Sequence, residues 1–135
     1  MRVSFLVIAL LACTAQRAPE PQRTGDLMPP MTASASWEGP IRQCKACHTF
    51  ARGGANGIGP NLWGVFGRRA GTSPGYRASP ALRAAGVAGL VWDRRTLNLY
   101  IANPRAFIPG TKMVMRGIDR PGDRNAIVAF LAARR

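Results

Sequence analysis

Apolar positions gather in three places along the chain, and their spacing differs between the first and the other two. Residues 3–12 form an almost unbroken apolar run behind Met1 and Arg2. Further on, Leu97, Tyr100 and Ile101 fall at i, i+3 and i+4, and Ile127, Phe130 and Leu131 repeat that spacing. Such intervals put side chains on one face of a helix. Asp93 sits where an N-cap belongs, and Asn103-Pro104 supplies the stop. The last helix is predicted from about Pro121, with Arg124 and the Arg134-Arg135 pair opposite its apolar stripe. Glycine and proline clusters at 53–59 and 71–75 read as loops. No alternating run of useful length and no internal repeat is present, so the pattern predicts an all-α fold.

Between the first apolar run and the helices lies a stretch of another kind. Residues 14–36 contain Pro19, Pro21, Pro29 and Pro30 and little apolar content, the composition of a flexible linker. The expected organisation is a signal peptide over 1–12, a linker over 13–36 and one folded domain over 37–135. A domain of about a hundred residues buries a limited core by itself, which leaves room for a bound group as part of it.

Charge adds a constraint. The chain has 19 basic and 6 acidic residues, a formal +13. Of the basic residues, 17 are arginine, which reflects a compositional bias and a solvated face as well as any function. Inside a cell such a balance would suggest nucleic acid as partner, because clustered cations neutralise phosphates. The charged start and short apolar run read instead as an export signal, too short at about ten residues to span a bilayer. No nucleic-acid role is expected.

The chemistry concentrates in Cys44-Lys45-Ala46-Cys47-His48. Two cysteines two residues apart, followed directly by histidine, are the attachment signature for covalent haem. The thiols, one helical turn apart, add to the haem vinyl groups, and the adjacent imidazole faces the iron. Zinc fails on ligand count, since the only other cysteine is Cys13 and His48 is the only histidine. A thioredoxin-like pair would need an alternating strand and helix pattern that is not there. A single histidine also excludes bis-histidine ligation in a monomer. The soft neutral ligand that remains is methionine, at Met113 or Met115. Met113 follows Pro109 and Gly110 in a loop, whereas Met115 reads as core filler.

Three motifs in order, CKACH, GPNLWGVFGR at 59–68 and YIANPRAFIPGTKM at 100–113, resemble class I cytochrome c, in its mitochondrial and bacterial cytochrome c2 branch. The resemblance covers about residues 41–135, with a short insertion around 84–89. It implies the class I fold, short helices and loops wrapped around one haem c. It further implies that Cys44 and Cys47 hold the haem, with His48 as the proximal and Met113 as the distal iron ligand. Pro60 would accept a hydrogen bond from the imidazole and so tune its basicity. Arg68 and Trp92 resemble the partners of the inner haem propionate. Tyr100 resembles the tyrosine near the methionine sulfur, and Thr111 would pin that loop. The sequence departs from the family at Ala78, where a tyrosine commonly binds a propionate. It departs again before CKACH, where Ser36 and Pro40 replace a glycine and an aromatic residue. Either that helix is short, or Trp37 docks in another register.

By resemblance, the chain is a one-electron carrier rather than an enzyme, monomeric and exported to the periplasm. Its positive surface would steer it to acidic docking surfaces on an oxidase, a reaction centre or a quinol-oxidising complex. The alternatives are a haem-dependent peroxidase or gas-binding protein, and a cytochrome subunit of a dehydrogenase complex. Leu10-Leu11-Ala12-Cys13 also resembles a bacterial lipobox, which would make lipidated Cys13 the mature first residue and a membrane anchor. Ordinary cleavage after Ala15 or Ala18 would discard Cys13 instead; the linker favours the tether.

Overall fold

In the computed structural model, which describes residues 37–135, the first helix, α1, spans Glu38–Lys45. Expectations for the signal peptide, Cys13, the linker and Ser36 lie outside the described residues. Pro40 is the third residue of α1, within the first turn, where backbone N–H groups have no intrahelical acceptor and its missing donor costs nothing. Ile41 and Cys44, three apart, form its buried face. Both readings offered for this segment hold together. The helix is only eight residues long, and Trp37, just ahead of it, docks on Phe130 with ring centroids 4.5 Å apart.

The other helices are α2 (Pro80–Val87), α3 (Arg94–Ala102), α4 (Pro104–Phe107) and α5 (Pro121–Ala132). Among the described residues there is no strand, only an isolated bridge between Arg69 and Val91. The all-α expectation is met. α3 starts as the sequence predicts. The Asp93 carboxylate accepts from the Thr96 N–H, and the Thr96 hydroxyl accepts from the Asp93 N–H, a reciprocal capping box. Asn103 then ends α3 and caps α4 through its side chain.

The spacing of apolar positions does not predict α2. Residues 84–89, read as an insertion, form its second half and its exit turn, while the Ser79 hydroxyl accepts from the Leu82 N–H ahead of Pro80. On α5 the buried face is wider than the predicted stripe, because Val128 is fully buried beside Ile127, Phe130 and Leu131. Arg124, expected on the open side, turns back to donate to the Ile118 and Asp119 carbonyls and to Asn98 Oδ1. α5 packs on both α3 and α1, and the shared core of Ile41, Leu97, Ile101, Ile127 and Leu131 forms one wall of a cleft.

Candidate functional site

Cys44, Cys47, His48 and Met113 all line this cleft. Most of the remaining wall is apolar, including Val65, Leu82, Leu97 and Ile127. The two thiols stand at the end of α1, Cys44 buried and Cys47 half-buried, and no disulfide joins them. Burial pushes the Cys44 thiol up to about 11, so it is a neutral thiol at physiological pH and not the depressed thiolate of a disulfide oxidoreductase. Among the described residues no three His, Cys, Asp or Glu side chains converge on a metal position.

His48 follows directly from the helix end, its N–H donating to the Cys44 carbonyl at 2.9 Å. Its Nδ1 lies 2.7 Å from the Pro60 carbonyl. A carbonyl only accepts, so Nδ1 carries the proton and the Nε2 lone pair is left free. Burial lowers the imidazole pKa more than the Pro60 bond raises it, which keeps the ring neutral. Asn61 organises the loop that delivers Pro60. Its side chain donates to Thr49 Oγ1 at 2.7 Å and accepts from the Trp63 N–H at 2.7 Å, and the Leu62 N–H reaches the Thr49 carbonyl. Gly59 supplies close approach, since a Cβ there would lie 2.3 Å from His48 Cε1.

Arg68 and Trp92 share another part of the wall, drawn together by the backbone. The Gly67 N–H donates to the Trp92 carbonyl at 2.7 Å and the Trp92 N–H to the Arg68 carbonyl at 2.9 Å. The Arg68 guanidinium donates to the Trp63 carbonyl and to Ser73 Oγ. Ala78 is buried on this wall, and Tyr76 does not substitute for the phenol it lacks, because the Tyr76 hydroxyl is turned to the Ile58 carbonyl.

Met113 sits half-buried on the segment after α4. The Tyr100 hydroxyl meets Thr111 Oγ1 at 2.6 Å, and the Met113 N–H donates to that same oxygen at 3.3 Å. The hydroxyl of Tyr100 is thus spent on the loop's threonine. The nine expected residues, Cys44, Cys47, His48, Pro60, Arg68, Trp92, Tyr100, Thr111 and Met113, all lie on the cleft. The sequence reading missed three others. Asn61 and Ser79 carry local signals, a side-chain turn and a cap before proline. Met115 packs against the core, as its reading as core filler implies, and lines the cleft as well.

This donor set fits a large apolar group attached through two sulfurs, with an imidazole nitrogen and thioethers available to a metal at its centre. The comparisons agree. No protein-family model matches the chain. Cytochrome c2 of Afifella marina is 47% identical over 90 residues, which are 67% of this chain and 73% of that protein. The structure of cytochrome cH from Methylobacterium extorquens matches at 42% identity with a TM-score of 0.65, covering 73% of this chain and 96% of that one. That of cytochrome c2 from Rhodospirillum centenum matches at 33% identity with a TM-score of 0.70, covering 74% and 96%. The chain therefore belongs to the class I c-type cytochromes, electron carriers built around one covalently attached haem c.

Proposed function

We propose that Cys44 and Cys47 hold the haem as thioethers, that His48 Nε2 and the Met113 sulfur are its axial ligands, and that the protein shuttles single electrons between membrane-associated respiratory or photosynthetic complexes. The observation that carries this reading is the 2.7 Å bond from His48 Nδ1 to the Pro60 carbonyl, which leaves Nε2 as the free donor in a cleft that Met113 also lines. Bound there, haem c supplies a one-electron couple at its iron, and a thioether ligand favours the reduced state and raises the potential. The protein's own part is to hold still. Pro60 fixes the imidazole tautomer and makes it more basic, while Tyr100 and Thr111 restrain the Met113 loop. Apolar walls keep water away, so little has to rearrange when charge changes.

Arg68 and the Trp92 indole N–H are the donors this reading assigns to a haem carboxylate. The same reading places the protein in the periplasm, with lipidated Cys13 and residues 14–36 as its tether. Among the described residues no helix is long and apolar enough to cross a membrane. A peroxidase or gas sensor would need an open distal position. Two measurements test the carrier reading. Optical potentiometry of the haem-loaded protein should give a single one-electron wave, and the reduced protein should exclude carbon monoxide; rapid carbon monoxide uptake by the wild type would sink it.

A further inference from the structure

Met115 packs against the core, as expected, and also lines the same cleft as Met113. The segment between them explains why. Thr111, Met113 and Met115 are half-buried, while Lys112, Val114 and Arg116 are exposed, the period of two of an extended chain. Val114 is 76% exposed, so the methionines on either side of it share the opposite face. Both also pack against the hydrophobic core.

The segment is fastened at its ends and nearly free between them. The Thr111 N–H donates to the Ile108 carbonyl and the Ile118 N–H to the Ile101 carbonyl, each at 3.0 Å. Gly117 adds a tight contact at φ +115°, where a Cβ would lie 2.1 Å from the Ala102 carbonyl oxygen. Among the described residues, the backbone of 112–117 makes one hydrogen bond, from the Met113 N–H to Thr111 Oγ1. A stretch with so few backbone bonds rearranges at low cost. Residues two apart on an extended chain are separated by roughly 7 Å. A slip of that size in this segment would carry the second sulfur toward the place of the first. What opposes the slip is the fastening at both ends, the Ile118–Ile101 bond and the Gly117 contact beyond Met115 and the Tyr100–Thr111 bond at the end nearest Met113.

We propose that Met115 is a reserve thioether ligand, able to take the distal iron position when Met113 leaves it, and that the Tyr100–Thr111 pin is the positioning device that selects Met113. The proposal rests on the His48/Met113 reading above. The exchange replaces one sulfur lone pair with another, and no electron or proton is transferred.

The test compares haem-loaded wild type with Met113→Ala, Met115→Leu and the double variant, leucine being chosen to keep the core volume. Far-UV circular dichroism confirms native helix content in each. The readouts are the ferric thioether-to-iron charge-transfer band and carbon monoxide uptake after reduction. Wild type and Met115→Leu should keep the band and stay closed. Met113→Ala should retain a shifted band and take up carbon monoxide at least ten-fold more slowly than the double variant, which should lose the band. Thr111→Val should shift the band of otherwise unaltered protein toward that of Met113→Ala. The proposal is overturned if Met113→Ala loses the band and takes up carbon monoxide as fast as the double variant, an outcome that leaves Met113 as the sole thioether ligand. A band lost in Met115→Leu but kept unshifted in Met113→Ala would make Met115 the resident ligand. A band surviving in the double variant would remove the thioether reading altogether.

Discussion

At the scale of single residues, the site depends on a ring held between a carbonyl and a glycine. His48 is neutral because it is buried, and its tautomer is set by Pro60. Gly59 has no steric freedom to spare, since an added Cβ would lie 2.3 Å from the imidazole Cε1 and 2.7 Å from Nδ1. Its φ is not in the left-handed region, so alanine would suffer no backbone strain there and its effect would come from contact with the ring alone. Gly59→Ala should therefore push the ring off the Pro60 carbonyl and destabilise the haem-loaded protein by about 1–3 kcal/mol, the range of overpacked cores. With that bond weakened the imidazole is less basic, the oxidised state is less stabilised, and the potential should rise. Potentiometry and thermal unfolding check both. Gly39→Ala, whose Cβ meets nothing within 4 Å, should leave the potential where it is. Unchanged values in Gly59→Ala would mean that the ring is not confined by this contact.

The elements show what local chemistry can and cannot decide. α3 is held at its start by Asp93 and Thr96, and the carboxyl pKa is lowered chiefly by its bond from the Thr96 N–H and next by the Thr96 side chain. A carboxylate whose folded pKa is depressed stabilises the fold above its unfolded value of about 3.9 and loses that contribution as the pH falls through the folded value. Asp93→Ala should cost about 1 kcal/mol near neutral pH, and the difference from wild type should shrink in acid to what a neutral acceptor contributes. Asp93→Asn keeps an acceptor and should lose this acid dependence while retaining most of the stability; denaturant melts at pH 7 and pH 3 separate the cases. The cap was legible from Asp93 because its partner is three residues away. The α5 stripe was legible for the same reason, although Val128 joined it through packing that periodicity does not report. α2 carries its local signal in the Ser79-Pro80 cap alone, because its only buried residue is Gly86 and no apolar stripe marks it. The seat of Trp37 could not be settled locally at all, since Phe130 lies in the last helix. The site divides in the same way. CKACH carries its chemistry within five residues, whereas Pro60 reaches His48 across twelve, a contact that only the family resemblance implied, and Tyr100 reaches Thr111 across eleven, where the resemblance placed it near the methionine sulfur.

Across the whole molecule, charge sets how the proposed carrier meets its partners. Residues 37–135 contain 16 basic and 4 acidic residues, and one of those four, Asp93, is engaged in its own helix cap. On the cleft lining, Arg69 and Lys112 are exposed, and the exposed Ile58 and Val114 give it an apolar edge that reaches solvent. A positive rim around an apolar contact would raise encounter rates with acidic surfaces without adding much to residence time. The sign of the field at the rim can be read with small oxidants, which need no knowledge of the natural partner. Oxidation of the reduced protein by the hexacyanoferrate(III) anion should slow several-fold as ionic strength rises from about 0.01 M to about 0.15 M, where the screening length falls from about 30 Å to about 8 Å. A cationic cobalt(III) complex should be repelled at low salt and so should react faster as salt is added. Arg69→Glu and Lys112→Glu together reverse two exposed charges on the cleft lining and should flatten both slopes, whereas the same reversal at Arg94 and Arg95, which do not line the cleft, should change them less. Equal slopes for the two oxidants, or equal effects of the two pairs of variants, would mean that the net charge acts as a whole and that the rim has no steering role of its own.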